Sequence, residues 1–248
     1  MFYPTPGRAG AAERGGAPGL GRRVPLVLFA HGYNVTPLTY HDLLHHLAEA
    51  GFVVAAPSFP LGTQGGPLDE NDLNNQPGDL SFVLTRTLAA SGAGGPLAGM
   101  VDAASVGAVG HSDGAEAALG MAFLPGTSDS RVGPVISMAG QAILNGDRVV
   151  SAPVPHPLLV IQGSEDTINP PERSDHLYAT APQPRAYLHL LGGGHLPPVA
   201  DATPWRPVVE TVTVDWLDQA FGGIDGSGAA ARLVHDGNVA GLAQLTVG

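Results

Sequence analysis

Ser112 stands in Gly110-His111-Ser112-Asp113-Gly114, a Gly-x-Ser-x-Gly run. An apolar stretch, Val106 to Val109, precedes it, and Ala115, Ala118 and Leu119 follow at helical spacing. A sharp strand-to-helix turn of this kind strains the serine backbone and exposes its hydroxyl at the C-terminal edge of a sheet. The residues two before and two after the serine approach closely and must be tiny; both are glycine here. The Asp113 N–H falls in the first turn of the helix, where unpaired donors and the helix dipole favour an oxyanion. With 35 glycines in the chain the bare pattern could arise by chance. Its place between strand and helix gives it chemical meaning: nucleophilic attack by Ser112.

A nucleophilic serine needs a base, and the base needs an orienting acid. On strand–turn–helix nucleophile sites these follow in the order serine, acid, histidine. Gly163-Ser164-Glu165-Asp166-Thr167-Ile168-Asn169-Pro170 directly follows the apolar run PLLVIQ, and Gly192-Gly193-Gly194-His195-Leu196 follows the next one. Asp166 is the expected acid, with Glu165, one step along the same turn, as its rival. His195 is the expected base, since imidazole can both take and return a proton near neutral pH. His189 lies within a strand and reads as a packed or edge residue. His111 reads as a support of the turn and a neighbour of bound substrate. His31-Gly32-Tyr33 ends the first strand, so the Tyr33 N–H is the expected second oxyanion donor beside that of Asp113.

These residues need a frame to hold them. Val24 to Ala30, Phe52 to Ala56, Val106 to Val109, Pro134 to Met138, Pro157 to Gln162 and Ala186 to Leu191 are short apolar runs, each read as a buried strand. Helices are expected over Thr39 to Ala50, from Asp79 or Ser81 to Leu88, and over Asp113 to Phe123, Pro171 to Ala179 and Val208 to Phe221. Strands that alternate with helices and are apolar on both faces imply one α/β domain around a doubly wound, mostly parallel sheet. Residues 6–23 read as a flexible loop and 60–78 as a polar rim of the active site. Residues 222–248 read as a tail with a short helix near Ala229 to Val234.

Composition removes whole classes of function. The net charge is −11, from 22 acidic and 11 basic residues, and every basic residue is arginine. So acidic a chain is a poor partner for nucleic acid or anionic lipid. The absence of cysteine rules out disulfides, thiolate metal sites and a thiol nucleophile. No run reaches the roughly 18 apolar residues of a membrane span. The start is not a signal peptide; Phe2-Tyr3 running into prolines reads as the end of a strand cut short, which leaves cytoplasmic and secreted locations both open. His41 and His45 share a helix face but lack the glutamate of a zinc-hydrolase helix, and Asp69 to Asn75 fails calcium-loop spacing. Gly92 to Gly95 follows no strand, so no nucleotide loop is expected there. No metal or cofactor is expected.

With these motifs in order, residues 24–221 resemble the α/β-hydrolase superfamily. The similarity is to dienelactone-hydrolase-like and platelet-activating-factor-acetylhydrolase-like esterases, with chlorophyllases and cutinase-type polyester hydrolases as neighbours. It is carried by HGYN, AEAGFVVAAPSFP, NQPGDLSFVL, GHSDGAEAAL, GSEDTINP and GGGHLPP. The resemblance implies metal-free hydrolysis of carboxylic esters through an acyl-enzyme. It also implies substrate contacts at Tyr33, Ile168 and Leu196. Ala139-Gly140-Gln141-Ala142 lacks the tryptophan clamp of the polyester hydrolases, and their C-terminal disulfide is missing. General esterase activity is therefore implied more directly than polyester cleavage. A cap domain would be inserted after the strand that follows the nucleophile helix, where about 18 residues are too few for one. The mouth is expected to be open, suiting short-chain or surface-presented acyl esters. A non-catalytic binding protein on the same fold is the alternative from another class.

Overall fold

A computed structural model describes residues 1–6, 19–141, 156–222 and 228–248. Most of the expected loop over 6–23 and part of the tail lie outside the described residues. Among the described residues seven strands form one sheet: β1 (Val24–Ala30), β2 (Val53–Ala55), β3 (Val101–His111), β4 (Val135–Met138), β5 (Leu158–Gly163), β6 (Arg185–Leu190) and β7 (Ala243–Val247). Their order is β2-β1-β3-β4-β5-β6-β7. All neighbours are parallel except β6 and β7. This is the mostly parallel sheet of an α/β-hydrolase fold.

Helices cover both faces, which is why the strands read as unbroken apolar runs. Leu26 and Leu28 of β1 face a core shared with α2 (Gln76–Ala90), α3 (Asp113–Phe123) and α4 (Pro171–Thr180), through Leu80, Leu84, Met121 and Leu177. Val27 and Phe29 face the opposite core, with α1 (His41–Glu49), α6 (Arg206–Ala220) and α7 (Ala229–Asp236). A short α5 (Pro197–Ala200) precedes α6. Among the described residues no helix is long and apolar enough to cross a membrane.

The winding reverses between β1 and β3. The chain steps outward from β1 to β2, then crosses back to β3 on the other side of β1. Loops leaving the C-terminal ends of β1 and β3 diverge there and open a crevice, the usual place for a ligand in such sheets. Ala30 and Gly110 are register partners at that edge, so His31-Gly32-Tyr33 and Ser112 emerge side by side. Residues 139–157 alone separate β4 from β5, too short a segment to carry a large cap. Phe2 bridges antiparallel to Val54 at the outer edge.

Candidate active site

The turn at Ser112 is strained and held from both sides. Its φ of 56° and ψ of −127° lie where side-chain-bearing residues are rare, at a cost of about 1–3 kcal/mol. The Ser112 N–H donates to the Met138 carbonyl at 2.9 Å, and its own carbonyl accepts from Ala115 N–H at 2.8 Å. A Cβ on Gly110 would sit 2.0 Å from the Gly114 carbonyl oxygen, and one on Gly114 would sit 2.1 Å from that of Ala30. Only glycine fits at either position.

The His195 imidazole bridges the serine and the acid. Nε2 lies 3.0 Å from Ser112 Oγ, and Nδ1 lies 2.8 Å from Asp166 Oδ2. A carboxylate only accepts, so Nδ1–H donates to Asp166 and the Nε2 lone pair faces the serine hydroxyl. The Asp166 side chain is fully buried. Its Oδ1 accepts from the N–H groups of Ile168 and Asn169, each at 2.9 Å, and Oδ2 also accepts from Gln162 Nε2 at 3.0 Å. Burial alone pushes this carboxyl up, but the hydrogen bonds from His195, Asn169 and Gln162 outweigh it and hold Asp166 below its ordinary value. Glu165 is exposed, and its N–H donates to Gly193. Of the two acids in the turn, Asp166 is the one brought to His195.

A second layer fixes these groups. Ser174 Oγ donates to Gln162 Oε1 at 2.7 Å, which orients the amide toward Asp166. Asn169 Nδ2 donates to the Ala139 carbonyl at 2.7 Å, tying the acid's loop to the end of β4. The acid and base loops touch so closely that a Cβ on Gly163 would lie 2.3 Å from the Gly193 carbonyl oxygen. Gln162, Ser174 and Asn169 were invisible as site residues because small polar side chains beside apolar runs carry no motif of their own.

Tyr33 N–H and Asp113 N–H face no acceptor among the described residues. The next residue, Asn34, has a positive φ of 54° and donates to the Gly62 carbonyl at 2.8 Å, so this loop is pinned to the 60–78 segment. From that segment Asp69 and Glu70 bear on the same place. Partial desolvation, Glu70, Asp69 and Asp113 all raise the Tyr33 phenol, while desolvation and then Glu70 raise Asp113. Ile168 is 67% exposed, and Leu196 is half-buried against the core shared by α1 and α6.

His111 ends β3, directly before the Ser112 turn. It is only 2% exposed, with Nδ1 2.8 Å from the Tyr40 hydroxyl and Nε2 3.0 Å from the His195 carbonyl oxygen. Both nitrogens are engaged and the ring is enclosed. Burial, then the neighbouring His195, push its pKa down to about 3, so the ring is neutral. Glu116, one turn along α3, is 3% exposed, and its Oε1 has no partner among the described residues. Burial first, then Asp113, push it up to about 8.

Two family models match the chain. Residues 17–143 match the Chlorophyllase model, and residues 99–203 match Serine hydrolase (FSH1). The stretches overlap across β3, the Ser112 turn and α3. No individually curated protein matches the chain. Both families are of α/β-hydrolase type and support a serine hydrolase acting on ester substrates. The Chlorophyllase match spans more than half of the sequence, over β1 to β4, and with it the chain belongs to the Chlorophyllase family of α/β-hydrolases.

Proposed function

We propose that this protein is a carboxylic ester hydrolase that works through an acyl-enzyme on Ser112. His195 Nε2 takes the Ser112 hydroxyl proton as Oγ bonds to the ester carbonyl carbon, and the carbonyl electron pair moves onto oxygen. The N–H groups of Tyr33 and Asp113 hold that oxyanion. Collapse breaks the bond to the alcohol oxygen, which receives the proton from His195. Water then repeats the cycle on the acyl-enzyme and releases the acid. Asp166 keeps the imidazole in the tautomer this requires. The observation that carries the reading is the alignment of Ser112 Oγ, His195 and Asp166, at 3.0 and 2.8 Å, beside two N–H groups with no acceptor of their own among the described residues.

The substrates are short-chain or surface-presented acyl esters, since so short a segment after β4 leaves the mouth uncapped, with 60–78 as its rim. Ile168, exposed beside the acid loop, favours surface-presented esters and keeps a cutinase-like action on polyester as the second reading. Ser112→Ala should abolish turnover of p-nitrophenyl acetate and butyrate. Full activity in that variant would remove the proposal. Rates that rise from acetate to longer acyl chains, with release of soluble product from polyester film, would move the assignment to the second reading.

A further inference from the structure

Three loops meet at the candidate site, from the ends of β1, β3 and β6, and buried polar groups join them. Tyr40, at the start of α1, is 1% exposed, so its hydroxyl must be paired inside the protein. The Gly32 N–H reaches the Tyr40 oxygen at 3.2 Å. An amide nitrogen can only donate, so the Tyr40 oxygen accepts there and its single proton goes to His111 Nδ1. Nδ1 is then bare, and the ring proton sits on Nε2. That is the atom facing the His195 carbonyl, which can only accept. Every donor in the chain has one acceptor, and all the bonds run in one direction.

Gly32 is held from its other side as well. His31 Nε2 accepts from the Phe59 N–H at 3.1 Å, so its Nδ1–H donates to the Gly32 carbonyl at 2.7 Å. With both backbone groups of Gly32 fixed, the next peptide, which carries the Tyr33 N–H, has little freedom. A Cβ on Gly32 would lie 3.1 Å from Ser112 Cβ, so this backbone passes directly beside the nucleophile. The far end of the chain grips the backbone of His195 itself, whose ring stands 4.7 Å from the His111 ring.

We propose that Tyr40 and His111 are positioning residues, a buried hydrogen-bonded spine that holds the oxyanion donor of Tyr33 and the base His195 in register with Ser112. This rests on the assignment of Ser112 and His195 given above. Neither residue touches substrate; both act through the backbone of others. Loss of the spine lets the two loops drift independently, and a misplacement of about 1 Å in a reacting group costs on the order of 10²-fold in rate. The low basicity of His111 suits the role, because a second proton on Nδ1 would turn its acceptor into a donor aimed at Tyr40.

Tyr40→Phe, His111→Phe and His111→Gln test this in the full chain. For each, kcat, KM and the rate of Ser112 labelling by an organophosphonate are measured beside the thermal midpoint. Tyr40→Phe should lower kcat by about tenfold and His111→Phe by about a hundredfold, with KM nearly unchanged and phosphonylation slowed in parallel. His111→Gln should recover most of the loss, since its carboxamide offers an oxygen to Tyr40 and an N–H to the His195 carbonyl. A space-filling role would leave phenylalanine as good as glutamine. Folded His111→Phe with wild-type kcat and labelling rate would overturn the proposal while leaving the triad in place. If His111→Phe does not fold, wild-type kinetics in Tyr40→Phe, which lacks one oxygen only, would overturn it equally. Wild-type protein that takes no label on Ser112 would remove the triad assignment and the spine with it.

Discussion

Asp166 and His195 meet at 2.8 Å while Glu165, its neighbour in the same turn, stays exposed with only its backbone bonded to the base loop. The discrimination follows from the turn. Asp166 Oδ1 accepts two successive N–H groups, of Ile168 and Asn169, which points the other oxygen toward His195. Asp166→Asn should lower kcat by about 10³- to 10⁴-fold, because an amide can donate to Nδ1 and favours the wrong tautomer. Glu165→Gln should stay within about twofold of wild type, as surface changes usually do. Steady-state kinetics on p-nitrophenyl butyrate check both, and the reverse pattern would exchange the roles.

The two glycines of the turn, Gly110 and Gly114, leave no space for a side chain. A methyl group at Gly110 or Gly114 would lie 2.0 and 2.1 Å from backbone oxygen, and backbone cannot step aside as a side chain can. Gly110→Ala and Gly114→Ala should each be destabilised by about 3 kcal/mol or more. Gly78, in α2 with nothing within 4 Å of where a methyl group would stand, is the control. Gly78→Ala should gain about 0.5–1 kcal/mol from helix propensity. Urea denaturation midpoints measure all three.

Much of this frame was legible in the sequence, and the gaps have physical causes. The central strands are buried on both faces, so six of them announced themselves as apolar runs, and α3 begins and ends at the expected residues, Asp113 and Phe123. The edge strand β7 was missed: Ala243-Gln244-Leu245-Thr246-Val247 buries only one face, and it follows a glycine-rich stretch that reads as tail. β3 extends back to Val101, five residues before its apolar part, because Asp102 to Ser105 project beyond the core. α2 starts earlier than expected, at Gln76, with Pro77 in the first turn, where its missing N–H costs nothing. Ser112, Asp166 and His195 stand out in the sequence as candidates because turn chemistry and chain order mark them. Tyr40 does not, since a tyrosine in the first turn of an expected amphipathic helix reads as core until its hydroxyl is seen against His111.

Glu116 makes stability depend on pH with a definite sign. Its folded value is about 8, against an ordinary 4.5. Between those values the unfolded chain releases the proton and the folded chain keeps it, so stability falls as pH rises through that window and levels off above it. Glu116→Gln keeps the shape without the titration. It should therefore melt above wild type at pH 9, with the gap closing toward pH 4.5. Equal melting curves across that range would contradict the burial of this carboxyl beside Asp113.

Charge at the mouth sets a preference among esters. Asp69, Glu70 and Asp113 all bear on the Tyr33 phenol, in a chain of net charge −11. An ester with a carboxylate on its acyl chain should show a lower kcat/KM than a neutral ester of equal length. Salt should narrow that gap, because the exposed charges of Asp69 and Glu70 are screened over about 8–10 Å at ordinary ionic strength. A gap unaffected by a rise from about 0.05 to about 0.5 M salt would mean that shape, not charge, sets the preference.

In the proposed reaction one serine, Ser112, forms the covalent intermediate. A p-nitrophenyl phosphonate, incubated with the folded protein and followed by peptide mass mapping, tests it most directly. One label per chain is expected, on the peptide at Ser112, with activity lost in proportion and no label in Ser112→Ala. Labelling at another residue, or full esterase activity in fully labelled protein, would contradict it.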